Sequence, residues 1–416
     1  MKNRYITYIA VFLAILWLPA AQHGLRLFPK ASLHGVEAGP SSPRFTLAGW
    51  FDGTYAVNHE AYYNEHIGFR GYLVRTYNQV YYTVFRKING RRGTQIVRGQ
   101  DNWLYERDYV QHYLERGKMD VAAMETRIEQ LRRLQDALDK RGIGLVLLIS
   151  PSKPEIYPEH LPAEMLARPR RPLGESDYGR MVPMLERHGI RYVDGHALFL
   201  AQKPASAYPL FSPGGTHWNH YGAWLAVSET LRSLAISTGK PMPIPECASV
   251  SLRRPAGADR DLGDLINVWR YPGAAVPVPY PEYAIPAARD VKRPAMLFVG
   301  DSFTFTMLDV VRGAKVCGRS HFLYYFRRLF AYAPDNPKSD HGQTPSRSIT
   351  EEDLNWEGVM LNKDIVVIET NENMISQLGF GFIPAALRHL EAAGSPAPSA
   401  RKNSKADSGL AEMSPQ

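Results

Sequence analysis

The stretch Ile143 to Ile149, IGLVLLI, carries no polar side chain in seven positions. A strand with one face on water alternates polar and apolar residues, so an unbroken apolar run of this length marks a strand covered on both faces. Ahead of it, Val121, Met124, Ile128, Leu131, Leu134 and Leu138 share one face of a helix from Asp120 to about Arg141, with Asp120 as N-cap and Gly142 as its stop. The same unit recurs: a helix ending at Arg187-His188-Gly189 leads into the strand Ile190 to Val193 and then Asp194. Two more buried strands are expected at Ala295 to Val299 and Asp364 to Glu369, and a long helix from about Asn219 to Ser237. Buried strands separated by helices specify an α/β fold, a parallel sheet sandwiched between helices. Such folds bind ligands at the carboxyl ends of their strands, where Ser150-Pro151-Ser152-Lys153, Asp194, Ser302 and Asn371 all fall.

The run Ala295 to Met307, AMLFVGDSFTFTM, is the richest of these ends. Gly300 permits a tight turn from strand to helix, and Ser302 is lifted to the sheet edge beside the free N–H groups of the helix's first turn. Those donors suit an oxyanion, and a serine there needs a base to become a nucleophile. His217, in Gly214-Gly215-Thr216-His217-Trp218-Asn219, is the candidate base. The plainer alternative makes Ser302 a helix N-cap and Asp301 a turn residue.

Outside this core, Lys2 and Arg4 precede an uncharged apolar run from Tyr5 to Ala21, about the minimum for crossing a bilayer as a helix. Residues 1–21 are therefore expected to be a signal anchor, or else a cleaved signal peptide. Either way the body lies beyond the cytoplasm. Residues 22–43, with Pro29, Pro40 and Pro43, read as a linker, 44–394 as the folded domain and 395–416 as a disordered tail. An apolar stripe at helical spacing, Phe69, Leu73, Tyr77, Val80, Tyr81 and Val84, is expected to pack into the core. Val97 to Tyr105 reads as a hairpin, and the proline-rich stretch 240–290 as an excursion over the sheet edge, a lid. Net charge is +8 but scattered, without the basic and aromatic interleaving of a nucleic-acid surface. Cys247 and Cys317 match no metal spacing and are either one disulfide or two buried thiols.

Taken in order, Phe51-Asp52-Gly53, Gly68-Phe69-Arg70, Trp103-Leu104-Tyr105, Ser150-Pro151-Ser152-Lys153 with Ile156-Tyr157-Pro158-Glu159, Thr216-His217-Trp218, Gly300-Asp301-Ser302-Phe303 and Glu369-Thr370-Asn371-Glu372 resemble the SGNH-hydrolase-like polysaccharide O-acetyltransferases typified by AlgX and AlgJ. The resemblance implies an SGNH-like sheet and acetyl transfer to exopolysaccharide hydroxyls in the periplasm, with no cofactor and no metal. It implies Ser302 as nucleophile, His217 as base, and Asn371, with Gly300 and Trp218, around the oxyanion and substrate. The implied partners are the exopolysaccharide acceptor, a membrane-bound acyltransferase that presents the acetyl donor, and other polysaccharide secretion components. One departure stands out. Such proteins carry Asp-x-His, and here the aspartate position is Gly215. Either a backbone carbonyl or another carboxylate, with Asp194 at another strand end the first candidate, is expected to orient the imidazole, or the site is a weaker Ser–His dyad. A carbohydrate esterase with the same residues and a non-catalytic scaffold are the rival readings.

Overall fold

The computed structural model describes residues 2–35, 40–89, 95–117, 119–284, 292–333 and 344–394. The expected tail at 395–416 lies outside them. The chain opens with helices α1 (Lys2–Leu25), α2 (Leu47–Phe51), α3 (Thr54–His66) and α4 (Arg70–Thr83). A hairpin, β1 (Ile96–Arg98) and β2 (Leu104–Glu106), is followed by α5 (Arg107–Glu115), α6 (Val121–Asp139) and β3 (Gly144–Ser150). Two short helices, α7 (Lys153–Ile156) and α8 (Ala163–Leu166), precede α9 (Asp177–Arg187), β4 (Tyr192–Asp194), α10 (Gly195–Gln202) and α11 (His220–Thr238). After β5 (Glu246–Arg253), α12 (Asp261–Leu265) and β6 (Val278–Ala284) come β7 (Met296–Gly300), α13 (Phe303–Gly313), β8 (Ser320–Tyr324), β9 (Arg328–Tyr332) and β10 (Ser346–Ser348). The described chain closes with β11 (Ile365–Asn371) and α14 (Phe382–Gly394).

The main sheet runs β10-β9-β8-β7-β11-β3-β4, parallel from β8 to β4 and antiparallel at the β9 and β10 edge. The four strands expected from the sequence are its centre and one edge. Their residues alternate between two separate cores. Val146 and Leu148 of β3 pack with α11 and α13, whereas Leu145, Leu147 and Ile149 pack with α6, α9 and α14. This two-sided burial is the physical reason that the strand has no polar position.

Several expectations need correction. Residues 240–290 do more than cover the sheet edge: β5 and β6 form an antiparallel ribbon, and 257–265 form two short helical turns against the sheet's ligand edge. Cys247 and Cys317 are free thiols, so no disulfide links them. Residues 28–35 of the expected linker are docked: Ser32 O accepts from Arg75, and His34 exchanges hydrogen bonds with Asn267. The stripe on α4 is also misassigned, since Leu73, Val80 and Val84 face outward and only Gly71 and Tyr82 of the helix are buried.

Candidate active site

Strand β7 is buried throughout and ends at Gly300, where a side chain would collide with Glu369 Oε2 at 2.6 Å and with Thr304 Oγ1. Only glycine fits there. Asp301 takes the capping role, its Oδ1 accepting from Phe303 N at 2.8 Å, while the Ser302 hydroxyl makes no cap bond to α13. The plain N-cap reading of Ser302 therefore fails. Its Oγ lies 2.8 Å from His217 Nε2.

The histidine reaches this position on a loop held from several sides. Trp218, 1% exposed, donates its indole N–H to Phe303 O at 3.2 Å, and the His217 ring meets Phe303 edge-on at 4.9 Å. Asn219 caps α11 through Gly222 N. Beneath the loop, the buried Lys153 ammonium donates to Leu104 O at 2.7 Å, Pro213 O at 3.0 Å and Gly215 O at 2.8 Å. Burial depresses the basicity of Lys153, yet all three ammonium hydrogens have carbonyl partners.

The partner of the other imidazole nitrogen is Asp261, not Asp194. Asp261 Oδ2 approaches His217 Nδ1 at 3.2 Å, an ion-pair distance with the pair set off the in-line hydrogen-bond direction. Its Oδ1 accepts from Thr216 N at 2.9 Å and Leu262 N at 2.7 Å, so the carboxylate is anchored both to the residue before the histidine and to its own helix. Asp194 is occupied elsewhere: it caps α10 through Ala197 N and accepts from Tyr178 Oη at 2.7 Å. Gly215 explains the substitution. A Cβ there would sit 2.7 Å from Ser212 Oγ and overlap Ala258 O. The segment that delivers Asp261 fills the space an Asp-x-His side chain would need.

Electrostatics around the imidazole favour its charged form. Burial alone pushes His217 toward neutrality, but Asp261, with Asp301 and Glu106 behind it, outweighs burial and raises its pKa above the ordinary 6.5. Glu106, at the end of β2, is itself shifted up by burial. Behind the serine turn, Glu369 accepts from Ser150 Oγ at 2.5 Å, Thr304 Oγ1 at 2.9 Å and Asp301 N at 3.0 Å. Burial and then the Asp301 charge push Glu369 far above the usual carboxylate range, and burial pushes Asp301 up as well.

Asn371 is not placed as the resemblance implied. Its Nδ2 faces Ser150 O and Oγ, both at 3.2 Å, and Pro151 O at 3.3 Å, which ties the ends of β11 and β3 together. Its backbone N donates to Asp301 Oδ2 at 3.2 Å. The Ser302 N–H, by contrast, donates to no group among the described residues and stands beside the Oγ. Asp261, Lys153 and Glu369 escaped sequence reasoning as site residues. The only signal for Asp261 was an acidic run, Asp259 to Asp264, inside the proline-rich stretch.

Residues 96–307 match the family described as the SGNH hydrolase-like domain of acetyltransferase AlgX. Among curated proteins, a probable alginate O-acetylase AlgJ of Pseudomonas syringae pv. tomato is 28% identical over 237 residues, 56% of this chain and 53% of the relative. The probable alginate O-acetylase AlgJ of Pseudomonas aeruginosa is 27% identical over 216 residues, 52% of this chain and 48% of that protein. The chain thus spans about half the length of the curated relatives it matches. Among solved structures, the O-acetyltransferase domain of Pseudomonas putida AlgJ aligns with 72% of this chain and 99% of its own, at 16% identity and a TM-score of 0.43.

Proposed function

The chain belongs to the SGNH hydrolase-like acetyltransferase family typified by AlgX, and on that premise we propose that it is a polysaccharide O-acetyltransferase working through an acyl-Ser302 intermediate. The observation that carries this reading is the continuous array Ser302 Oγ, His217 Nε2, His217 Nδ1, Asp261 Oδ2, with spacings of 2.8 and 3.2 Å across the ring. With the ring proton on Nδ1 toward Asp261, Nε2 is left to accept the serine hydroxyl proton.

In the first half-reaction Ser302 Oγ attacks the acetyl carbonyl of the donor while His217 Nε2 takes its proton. The Ser302 N–H steadies the tetrahedral oxyanion, and Asp261 steadies the imidazolium. Collapse breaks the bond to the leaving group, which departs with the proton from Nε2. In the second half-reaction a sugar hydroxyl gives its proton to Nε2 and attacks the acyl-serine ester. The ester C–O bond breaks, Ser302 recovers the proton, and the acetylated polymer leaves. The relatives' names, probable alginate O-acetylases, favour alginate or a similar exopolysaccharide as acceptor. A membrane-bound acyltransferase supplies the acetyl group in this scheme, because acetyl-CoA belongs to the cytoplasm, and other secretion components handle the product. Helix α1, apolar over Arg4–Leu25 with a mean hydropathy of 1.7, serves as an anchor that holds the domain at the periplasmic face of the inner membrane.

The test supplies the purified full chain with p-nitrophenyl acetate, with and without acetyl-free alginate oligosaccharide, and follows serine acylation and product by mass spectrometry. Acetylated oligosaccharide that disappears in Ser302→Ala is the expected result. Acetate release unaffected by the acceptor would indicate an esterase, and no acylation of Ser302 at all would leave a scaffold.

A further inference from the structure

Helix α4 is built inside out. At 100° per residue, Arg75, Asn78, Gln79 and Tyr82 share one face and Leu73, Tyr77, Val80 and Val84 the opposite one. The polar face is the one that docks on the protein. Arg75 Nη1 donates to Val268 O at 2.9 Å, Asn78 Nδ2 to Ile266 O at 3.0 Å, and Gln79 Oε1 accepts from Arg270 N at 2.8 Å, with Tyr82 against Tyr271. The apolar face is left in the open, Leu73 being 58% and Val84 68% exposed, and Phe85 continues it. Nearby in sequence, α2 exposes Leu47, Trp50 and Phe51, the last 85% exposed, beside an aromatic cluster of Phe45, Trp50 and Tyr55. A single exposed leucine means nothing, but a continuous stripe on a helix marks a contact surface.

What meets this stripe follows from where α1 ends. The last turns of α1 rest directly on Gly68, two residues ahead of α4: a Cβ there would lie 2.7 Å from Gln22 Cβ and 2.9 Å from His23 N. His23 Nδ1 also meets His66 O at 2.8 Å. The stripe therefore begins where the apolar helix ends. Exposed basic residues flank both ends, Arg26 and Lys30 by α1 and Arg86 with Lys87 past α4, as suits anionic headgroups. We propose that the outer face of α4, with α2, lies in the headgroup region of the bilayer that α1 anchors, so that the domain is held down by a surface as well as by a tether. The inference rests on the reading of α1 as a retained anchor.

The test uses the full chain in phosphatidylglycerol and phosphatidylethanolamine vesicles, with Cys247→Ser, the buried Cys317 kept, and one added cysteine carrying an NBD label at Phe12→Cys, Leu73→Cys, Val80→Cys or Lys140→Cys. The expected result is quenching by doxyl lipid about threefold stronger at 73 and 80 than at exposed Lys140 on α6, with iodide quenching correspondingly weaker. Labels at 73 and 80 that behave like the one at 140, while the label at 12 is quenched by lipid, overturn the surface contact and leave the anchor. A label at 12 untouched by lipid overturns the anchor and the inference together. Protection of 73 and 80 from both quenchers shows a second copy on the stripe, and also overturns the lipid contact.

Discussion

The two halves of the Ser302, His217 and Asp261 array are held by different means. Ser302 sits inside one continuous strand, glycine and helix segment, capped by Asp301 next door and braced from the adjacent strand by Glu369 and the backbone N of Asn371. His217 on its loop and Asp261 at the first residue of α12 are joined by contacts that cross the chain, through Lys153 to β2 and through Ser212 Oγ to Asp259 O. The segment that carries the serine is thus continuous in the chain, although its bracing comes from a neighbouring strand. A proton relay has to be assembled.

That contrast makes a ranked set of predictions. The largest effect belongs to Ser302→Ala, which should abolish acyl transfer while leaving the melting temperature nearly unchanged, since only a hydroxyl is lost. Asp261→Asn should follow, with kcat lower by roughly 10³ to 10⁴, as when a serine triad loses its acid, whereas Asp194→Asn should stay within a few-fold of wild type. Equal losses in both would return the relay to Asp194. Lys153→Met leaves the carbonyls of Leu104, Pro213 and Gly215 without their donor, and unfolding measurements should show a loss of about 2 to 4 kcal/mol with reduced kcat. If the relay loop were as self-supporting as the serine turn, that variant would be nearly silent.

The smallest expected effect is on pH dependence. His217 must be neutral to accept a proton, and its pKa in the folded protein lies above 6.5, so the acidic limb of kcat/KM should fall above pH 6.5. In Asp261→Asn the limb should move down. The same raised pKa stabilises the fold at pH values below 6.5, and that contribution is lost as pH rises through the folded value.

Legibility divides along the same line. The apolar runs of β3, β7 and β11 show in sequence because burial on two faces excludes polar residues, and Ser302 shows because a strand, a glycine and a helix start are adjacent. The strands β8 to β10 do not, since SHFLY, RLFAY and SRS mix polar and apolar positions toward the sheet edge. Asp261 was hidden because the acid is chosen by packing around Gly215, which no local pattern encodes. Asn371 was found at its strand end, but whether its amide turns toward the serine or toward Ser150 depends on a neighbouring strand. On α4 the period was read correctly and the direction was not: periodicity reveals that a helix has two faces, not which of them meets the protein.

The acid's location has a consequence for when the protein becomes reactive. Ser302, Asp261 and His217 belong to three segments separated by 41 and 44 residues, and Gly215 makes room for the middle one. Until the 256–261 segment docks, the chain holds a serine and an imidazole with no fixed tautomer between them. In the proposed chemistry the array works only with all three segments in place, so a partly folded chain has little capacity to squander activated acetyl groups on water.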